Sequence, residues 1–241
     1  LAPSKVYMGL EAEAATLASP MAVTTDTQVA TRKFIATTAA NTGTATYNVA
    51  IPKTDTYYLW AKVLCQSWVS DSFFVSINDK EDVFDAAEGK QSANWQWSLL
   101  NGRNGGAPLT LNPRDFDLTQ GAHTIVVRGR EIDAGMDRII ITNDRDYVPS
   151  DVSAVADNMT ASPNTAKQIS AASLLANDIA LFGDPMTITA VSVPANGTAT
   201  LSGTTITYTP KAGFTGADSF TYTVSDGQGS TSSAKVTVTV Q

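Results

Sequence analysis

Residues 56–64 read TYYLWAKVL, a stretch in which large apolar side chains recur at every second position. Successive side chains of a β-strand point to opposite faces. One face would then present a row suited to the core of an antiparallel sandwich, namely Tyr57, Leu59, Ala61 and Val63. The opposite row is either a binding surface or the cover of a second layer, and the usual burial of large aromatics favours cover. That second row is Tyr58, Trp60, Lys62 and Leu64.

The same period of two recurs on both sides of this stretch. Earlier and later segments of this kind are ATYNVAIP, SFFVSIND, HTIVVRGR, DRIIITND, TTITYTP, DSFTYTVSDG and AKVTVTVQ. Gly, Pro, Asn and Asp separate them, as expected of strands joined by turns. No window of helical length shows an apolar period of 3.6 residues. The sequence therefore predicts an all-β protein.

The composition changes near residue 150. All four tryptophans, the single histidine, the single cysteine and every arginine precede that point, and the rest of the chain is rich in Thr, Ser, Ala and Val. We therefore predict two β-domains, residues 1–148 and 149–241, with a linker at about 145–152. Because Cys65 has no second cysteine to pair with, stability must come from packing or from bound ions.

Charge and hydropathy exclude several partners. The formal net charge is −7 and no run of Lys or Arg occurs, which argues against nucleic acid. No apolar run approaches the roughly 20 residues that span a bilayer. The N-terminus, LAPSKVYMGLEAEA, lacks a basic region followed by an apolar one. We expect a soluble, monomeric fragment that contacts neither nucleic acid nor membrane.

Two glutamates in GLEAEAATL raise an electrostatic question. In a strand the carboxylates of Glu11 and Glu13 would point the same way, about 7 Å apart. Two such anions favour a cation, and calcium takes 6–8 oxygens from carboxylates and carbonyls. Asp137, in GMDRIIIT, is a candidate for a further ligand. The alternative, two solvated acids on an edge strand, is the commoner arrangement when these residues are considered alone.

The succession EAE, VAIPKTDTYYLWAKV, DSFFVSIND, a Trp-bearing loop, GAHTIVVRGRE and MDRIIITND resembles the carbohydrate-binding modules of families 6 and 35 over about residues 5–144. These modules are β-jelly rolls. The resemblance implies a structural calcium held by Glu11, Glu13 and Asp137, with backbone carbonyls from about Thr31 to Lys33. It also implies a sugar site in loops at one end of the sandwich. Met136 occupies the place of an asparagine that contacts sugar in the family.

The stretch NWQWSLLNG, residues 94–102, is the candidate for sugar stacking. Trp95 and Trp97 would share one face if the stretch is extended, or form a platform if it is a loop. A sugar ring matches a flat aromatic surrounded by polar groups. Such a rim is available in Asn94, Asn101 and Arg103. Trp68, in the polar turn CQSWVSDS, is a third candidate. The alternative is that Trp95 or Trp97 fills the core of the sandwich.

Residues 155–240 resemble the cadherin-like and bacterial Ig-like repeats of large secreted proteins. They contain SLLANDIALFGDP, TTITYTP and DSFTYTVSDG in the order of those repeats. The resemblance implies a β-sandwich that acts as a spacer, an adhesive unit or a glycan binder. In many relatives acids after AND bind calcium; here Asp178 and Asp184 are the candidates, with Asp157 and Asp226 nearby. The aromatics Tyr208, Phe214, Phe220 and Tyr222 are predicted to pack in the core.

Catalysis is disfavoured. His123 is the only histidine and starts a strand, and Cys65 has no apparent activating partner. Carboxylate pairs such as Asp115 and Asp117, or Asp82 and Asp85, could hydrolyse glycosides, but acids in turns are usually solvated. We therefore expect a secreted, non-catalytic module that binds a polysaccharide or oligosaccharide and targets an attached glycoside hydrolase or polysaccharide lyase to it. The alternative is an adhesive or structural module of a cell-surface protein.

Overall fold

The computed structural model describes residues 5–67, 69–85, 92–103 and 111–241. The chain divides into two compact units, residues 1–149 and 150–241. In the described ranges the helical residues are confined to the short α1, Ala171–Leu174, and two 3₁₀ turns, Ala12–Ala14 and Leu175–Asn177. The all-β prediction is confirmed. No helix among the described residues is long and apolar enough to cross a membrane.

The first unit is built from strands β1 to β14. Their bounds are Tyr7–Glu11, Thr16–Ala18, Met21–Thr25, Lys33–Thr37, Thr44–Ile51, Asp55–Leu64, Ser72–Ile77, Lys80–Asp85, Gln96–Leu99, Asn101–Arg103, Leu111–Pro113, Asp115–Leu118, Gly121–Gly129 and Gly135–Thr142. One antiparallel sheet has the order β12-β6-β14-β4-β3, with β9 also paired to β6 and β1 to β14. The other has the order β2-β5-β13-β7-β8.

The core of this unit lies between the two sheets. The predicted core row of β6 is buried, with Tyr57 and Val63 fully so. Opposite them the second sheet contributes Tyr47, Phe73 and Ile125. The other row of β6 is half-buried, and its Lys62 is buried. The predicted alternation is therefore confirmed, and the burial of the second row agrees with its interpretation as cover.

The second unit contains strands β15 to β23. Their bounds are Val152–Ser153, Asp157–Ala161, Lys167–Ser170, Ile179–Ala180, Thr187–Val191, Gly197–Ser202, Thr205–Pro210, Gly216–Ser225 and Thr231–Val240. One sheet has the order β16-β23-β22-β19, with β16 parallel to β23, and a second has the order β17-β21-β20. Tyr208, Phe220 and Tyr222 are buried in its core, as predicted, and Phe214 packs against that core while partly exposed.

Candidate functional site

Three carboxylates of the first unit converge at one point. A ligand oxygen from each of Glu11, Glu13 and Asp137 lies within 4.8 Å of the others. Asp137 is buried, and the two glutamates are half-buried. In the described ranges this is the one group of three or more His, Cys, Asp or Glu side chains close enough to share a metal ion. The structure thus brings together all three predicted carboxylate ligands.

An irregularity in β14 creates this meeting point. One edge of β14 pairs with β4 at Met136 and with β1 from Arg138 onward. On its other edge the pairing with β6 shifts register between Met136 and Arg138. A bulge of this kind re-aims the extra residue, which here is Asp137. The end of β1 at Glu11 and the start of β4 therefore meet beside its carboxylate.

Glu13 reaches the site differently from the prediction. The sequence predicted that Glu11 and Glu13 lie on one strand, but β1 ends at Glu11 and Glu13 lies in the 3₁₀ turn Ala12–Ala14. The turn is held down because Ala12 is buried and its carbonyl accepts a hydrogen bond from Tyr47 Oη at 2.8 Å. The turn folds Glu13 back toward Asp137, so the two glutamates converge without sharing a strand face.

Three basic side chains border the carboxylates. Arg138 Nε lies 3.4 Å from Glu11 Oε2, Arg32 Nε lies 3.6 Å from Asp137 Oδ2, and Lys62 Nζ lies 3.8 Å from the same oxygen. All three are buried. They offset part of the repulsion among the three anions, which would otherwise be strong in a site removed from water.

The donor set fits a hard divalent cation such as calcium. Glu13 Oε2 is buried and has no hydrogen-bond partner among the described residues, and such an oxygen is costly unless something binds it. Three carboxylates supply oxygen ligands but not the six to eight that calcium takes. The predicted carbonyl donors Thr31 and Lys33 flank Arg32, whose guanidinium lies against Asp137, so their segment runs beside the carboxylates.

An aromatic pair lies near this site. The rings of Trp95 and Phe34 meet edge to face, with centroids 5.1 Å apart and an interplanar angle of 65°. Both side chains are half-buried. Beneath them Gly135 starts β14, and a Cβ there would lie 3.2 Å from an atom of each ring. The glycine thus lets both rings approach the sheet. The sequence singled out Trp95 but missed Phe34.

Two further residues hold Trp95 and were also missed. Asp26 Oδ2 accepts a hydrogen bond from Trp95 Nε1 at 2.7 Å, and Arg32 stacks over the indole at 5.6 Å from its centroid. Burial raises the pKa of Asp26, but hydrogen bonds from the Gln28 N–H, Trp95, the Val29 N–H and Arg32 outweigh it and leave the pKa below its ordinary value. Asp26 is therefore an anion at neutral pH.

An open cavity of about 680 Å³ lies at the same end of the sandwich. Its walls come from three loops that each connect the two sheets. The polar lining includes Gln66, Ser67, Ser70, Glu131 and Asp133, and the apolar lining includes Val69 and Ile132, both exposed. Asp133 lies in the loop that leads into Gly135, so the cavity and the aromatic pair are at the same end of the sandwich.

The cavity walls are linked to each other. Glu131 Oε2 accepts hydrogen bonds from the N–H groups of Asp71 at 2.8 Å and Ser72 at 3.0 Å. Its Oε1 accepts one from Arg130 at 2.7 Å. Burial raises the pKa of Glu131, but these hydrogen bonds and the nearby guanidinium lower it by more. The ionised carboxylate ties the loop before β7 to the loop before β14.

The remaining residues predicted to contact sugar differ in burial and location. Trp97 is half-buried in β9, opposite Lys62, and Asn94 is exposed. Asn101 is buried and its amide donates to the Leu99 carbonyl, so it lies beneath the surface and not on an exposed rim. Arg103 ends β10, but its side chain lies outside the described part of the chain, as does all of Trp68.

Met136, which the resemblance places where the family has an asparagine, has no exposed side chain. Its side chain is buried in the core between the sheets. Because neighbouring residues in β14 alternate in direction, the residue beneath the aromatic rings is Gly135 and not Met136.

Asp178 of the second unit accepts a hydrogen bond from a buried tyrosine. Tyr222 Oη lies 2.8 Å from Asp178 Oδ1, 3.1 Å from Asp157 Oδ2 and 3.0 Å from the Val155 carbonyl. Burial, with a smaller contribution from the charge of Asp178, raises the pKa of Asp157. Asp178 and Asp184 belong to no group of three metal-binding side chains in the described ranges.

His123 and the acidic pairs have structural partners. One imidazole nitrogen of His123 bonds to Asn78 and the other to the Thr119 carbonyl, each at 2.7 Å. Asp117 accepts a hydrogen bond from Thr56, and Asp82 pairs with Arg114 at 2.7 Å. None of these contacts arranges a nucleophile beside a base.

Comparison with known proteins gives one family match and several similar solved structures. Residues 146–239 match the family model of the bacterial Ig domain. No curated protein sequence matches the chain. Among solved structures, a family 35 carbohydrate-binding module from Clostridium thermocellum is 14% identical and has a TM-score of 0.41, covering 57% of this chain and 97% of that one.

Two other solved structures are similar to a comparable degree. The C-terminal CBM6 of a marine laminarinase from Zobellia galactanivorans is 10% identical with a TM-score of 0.43, covering 57% of this chain and 99% of that one. A GH26-CBM35 β-(1,4)-mannanase from Podospora anserina is 19% identical with a TM-score of 0.42, covering 60% of this chain. This chain spans 29% of that mannanase.

Proposed function

We propose that the first unit is a non-catalytic carbohydrate-binding module whose ligand is a neutral polysaccharide or oligosaccharide. The observation that carries the proposal is the half-buried ring of Trp95, held beside Phe34 at the end of the sandwich where the open cavity lies. A sugar offers C–H groups on one ring face and hydroxyls around the rim. An aromatic surface at the same end of the sandwich as a cavity lined by hydroxyl, amide and carboxylate groups can match both.

The acidic lining favours a neutral sugar over a uronate or a sulfated one. Glu131 and Asp133 both border the cavity, and Glu131 is ionised because its pKa is lowered. A carboxylate or sulfate on the ligand would be repelled by these charges. The net charge of −7 acts in the same direction.

In this proposal calcium has a structural role. Glu11, Glu13 and Asp137 would hold the ion, with carbonyl oxygens from Thr31 and Lys33 completing its shell. A bound calcium supplies positive charge that joins the end of β1, the turn after it and β14. It would thereby stabilise the folded unit, while the sugar is bound by the aromatic pair.

The second unit is proposed to be an Ig-like spacer. Together the units would belong to a secreted protein and hold an attached glycoside hydrolase or polysaccharide lyase against its substrate. Such a module acts by raising the effective concentration of the enzyme at the polymer surface.

The test is affinity electrophoresis of the full chain in gels containing laminarin, glucomannan, galactan or xylan, which together present neutral glucose, mannose, galactose and xylose. We expect at least one polymer to retard the protein. Trp95→Ala should weaken that binding roughly thirtyfold, because removal of a central aromatic anchor costs about 2 kcal/mol or more.

The control is Trp60→Ala, which removes a half-buried tryptophan from the outer row of β6. It should leave binding intact while both variants keep a cooperative melting transition. Loss of binding in Trp60→Ala but not in Trp95→Ala would place the sugar on the face of Tyr58, Trp60 and Lys62. No retardation by any polymer would contradict the proposal and favour an adhesive or structural module.

A further inference from the structure

Asp26 connects a loop near the N-terminus to the proposed sugar platform. It directly follows β3 and is buried, with 8% of its surface exposed. Its Oδ1 accepts the Gln28 N–H at 2.7 Å, which fixes the loop after β3. Its Oδ2 accepts the Nε1–H of Trp95 at 2.7 Å, across 69 residues of sequence. One carboxylate thus joins a turn of its own loop to the indole.

Arg32 completes the support of the ring. Its Nη1 donates to Asp26 Oδ2 at 3.2 Å, and its guanidinium carbon lies 5.6 Å from the Trp95 ring centroid. Phe34 meets the same indole edge to face. The N–H edge of Trp95 is therefore anchored, and one of its faces is covered by a cation. A ligand that stacks on the indole would therefore have to use the opposite face.

We propose that Asp26 is a positioning residue for carbohydrate recognition, which fixes the indole of Trp95 so that a single face is presented to the sugar. The inference rests on the proposed function. Asp26 acts through Trp95 and does not itself touch the ligand. An indole that is already oriented loses less conformational freedom when a sugar stacks on it, so anchoring raises affinity without adding a contact.

Two contacts of Trp95 indicate that a sugar would stack on one face of the indole and would not be sandwiched between two rings. Trp95 and Phe34 are in contact with each other, so no sugar ring can enter between them. Arg32 lies over the indole on its protein side, where a second sugar would have to displace a buried charge. The platform would therefore take one sugar ring by stacking, on the face of the indole away from Arg32.

The test is a double-mutant cycle on the full chain with Asp26→Asn and Trp95→Phe. The binding constant is measured for whichever of laminarin, glucomannan, galactan and xylan retards the wild-type protein most. Asp26→Asn removes the charge and one of the two carboxylate acceptors, and we expect up to about a tenfold loss of affinity, because a sugar must then immobilise the indole at a cost of about 0.5–1.5 kcal/mol. In the Trp95→Phe background, which has a ring but no N–H, Asp26→Asn should change affinity less than twofold.

Asp144→Asn is the matched control. Asp144 is buried to the same extent, with 9% exposed, and it likewise accepts a hydrogen bond from a distant aromatic side chain, Tyr7 Oη at 2.8 Å. This variant should lower the melting temperature comparably but leave affinity unchanged. The near-ultraviolet circular dichroism of Trp95, taken as wild type minus Trp95→Phe, should collapse in Asp26→Asn and persist in Asp144→Asn.

The outcomes separate the inference from the proposed function. Equal losses for Asp26→Asn in both backgrounds, or an unchanged affinity in Asp26→Asn while Trp95→Ala abolishes binding, would refute the positioning role alone. Binding that survives Trp95→Ala, or no binding at all, would refute the proposed site as well. If Asp26→Asn does not fold, Asp26→Ser retains an oxygen for the Gln28 N–H but not the reach to Trp95. It should show the same loss of affinity.

Discussion

The effect of Glu13→Gln on the stability of the first unit should change sign between calcium-free and calcium-bound conditions. Without an ion the three carboxylates repel each other, and Glu13 Oε2 is buried without a hydrogen-bond partner among the described residues. With an ion that same oxygen becomes a ligand. The variant should therefore be more stable than the wild type in EDTA and less stable in calcium. A residue with a purely structural role would give the same sign under both conditions.

The magnitude follows from the geometry. Two unit charges 4.8 Å apart repel by about 3.5 kcal/mol at an effective dielectric constant of about 20. Arg32, Lys62 and Arg138 offset much of that repulsion, so we expect Glu13→Gln to stabilise the calcium-free unit by about 1 kcal/mol, or roughly 2–4 °C. Calcium at one hundred times its Kd adds about 2.7 kcal/mol to the wild type, roughly 5–11 °C, and the variant should gain less than about half of that.

Tryptophan fluorescence provides the assay, because all four tryptophans precede residue 150 and report only on the first unit. Thermal melting is followed in EDTA and across a calcium titration. The control is Glu81→Gln, which breaks a surface pair with Arg128 at 2.7 Å but is remote from the three carboxylates in sequence and sheet. It should leave the calcium response unchanged. A wild-type melting temperature that is equal in EDTA and calcium would show that no ion binds there.

Two further predictions concern the units separately. Residues 1–148 expressed alone should melt cooperatively and retain sugar binding, because the two units have separate buried cores; a fragment that is unfolded by circular dichroism would show that the units depend on each other. In the second unit, Asp157→Asn should raise the melting temperature at pH 7, since burial raises the pKa of Asp157 above its ordinary value of 3.8. The Asp157 carboxyl stabilises the wild type at low pH, and this contribution is lost as the pH rises through its folded-state pKa. The difference in melting temperature between variant and wild type should therefore shrink as the pH falls toward 3.8. A difference that is independent of pH would contradict the raised pKa of Asp157.

The regular parts of both units could be predicted because alternation determines which residues are buried. In β6 the row of Tyr57, Leu59, Ala61 and Val63 is buried as predicted, and in β22 the same rule identifies Phe220 and Tyr222. A strand with one face on a core has a period of two, and a shift of one residue would expose the entire apolar set. The local pattern of apolar residues therefore predicts both the strands and which of their faces are buried.

The partners of Trp95 could not be predicted in the same way. Asp26 and Arg32 lie in the turn-forming segment DTQVATR, which has no period, and they meet the indole from 69 and 63 residues away. No local signal distinguishes an aspartate that caps its own turn from one that also holds a distant ring. Phe34 alternates with Ile35 in β4, but a half-buried phenylalanine on a strand does not reveal which ring it meets.

The residues of the proposed function lie where regular structure is interrupted. Asp137 lies in a bulge of β14, Glu13 in a 3₁₀ turn, Asp26 in the loop after β3, and Gly135 at a strand start where a Cβ would press on two rings. Each interruption has a local cost, since it removes a ladder hydrogen bond or a packed side chain. The surrounding strands supply the stability that tolerates this cost, and the interruptions supply side chains aimed away from the alternating rows. Departures from the period of two therefore mark candidate binding residues, as violations of local rules do at functional sites generally.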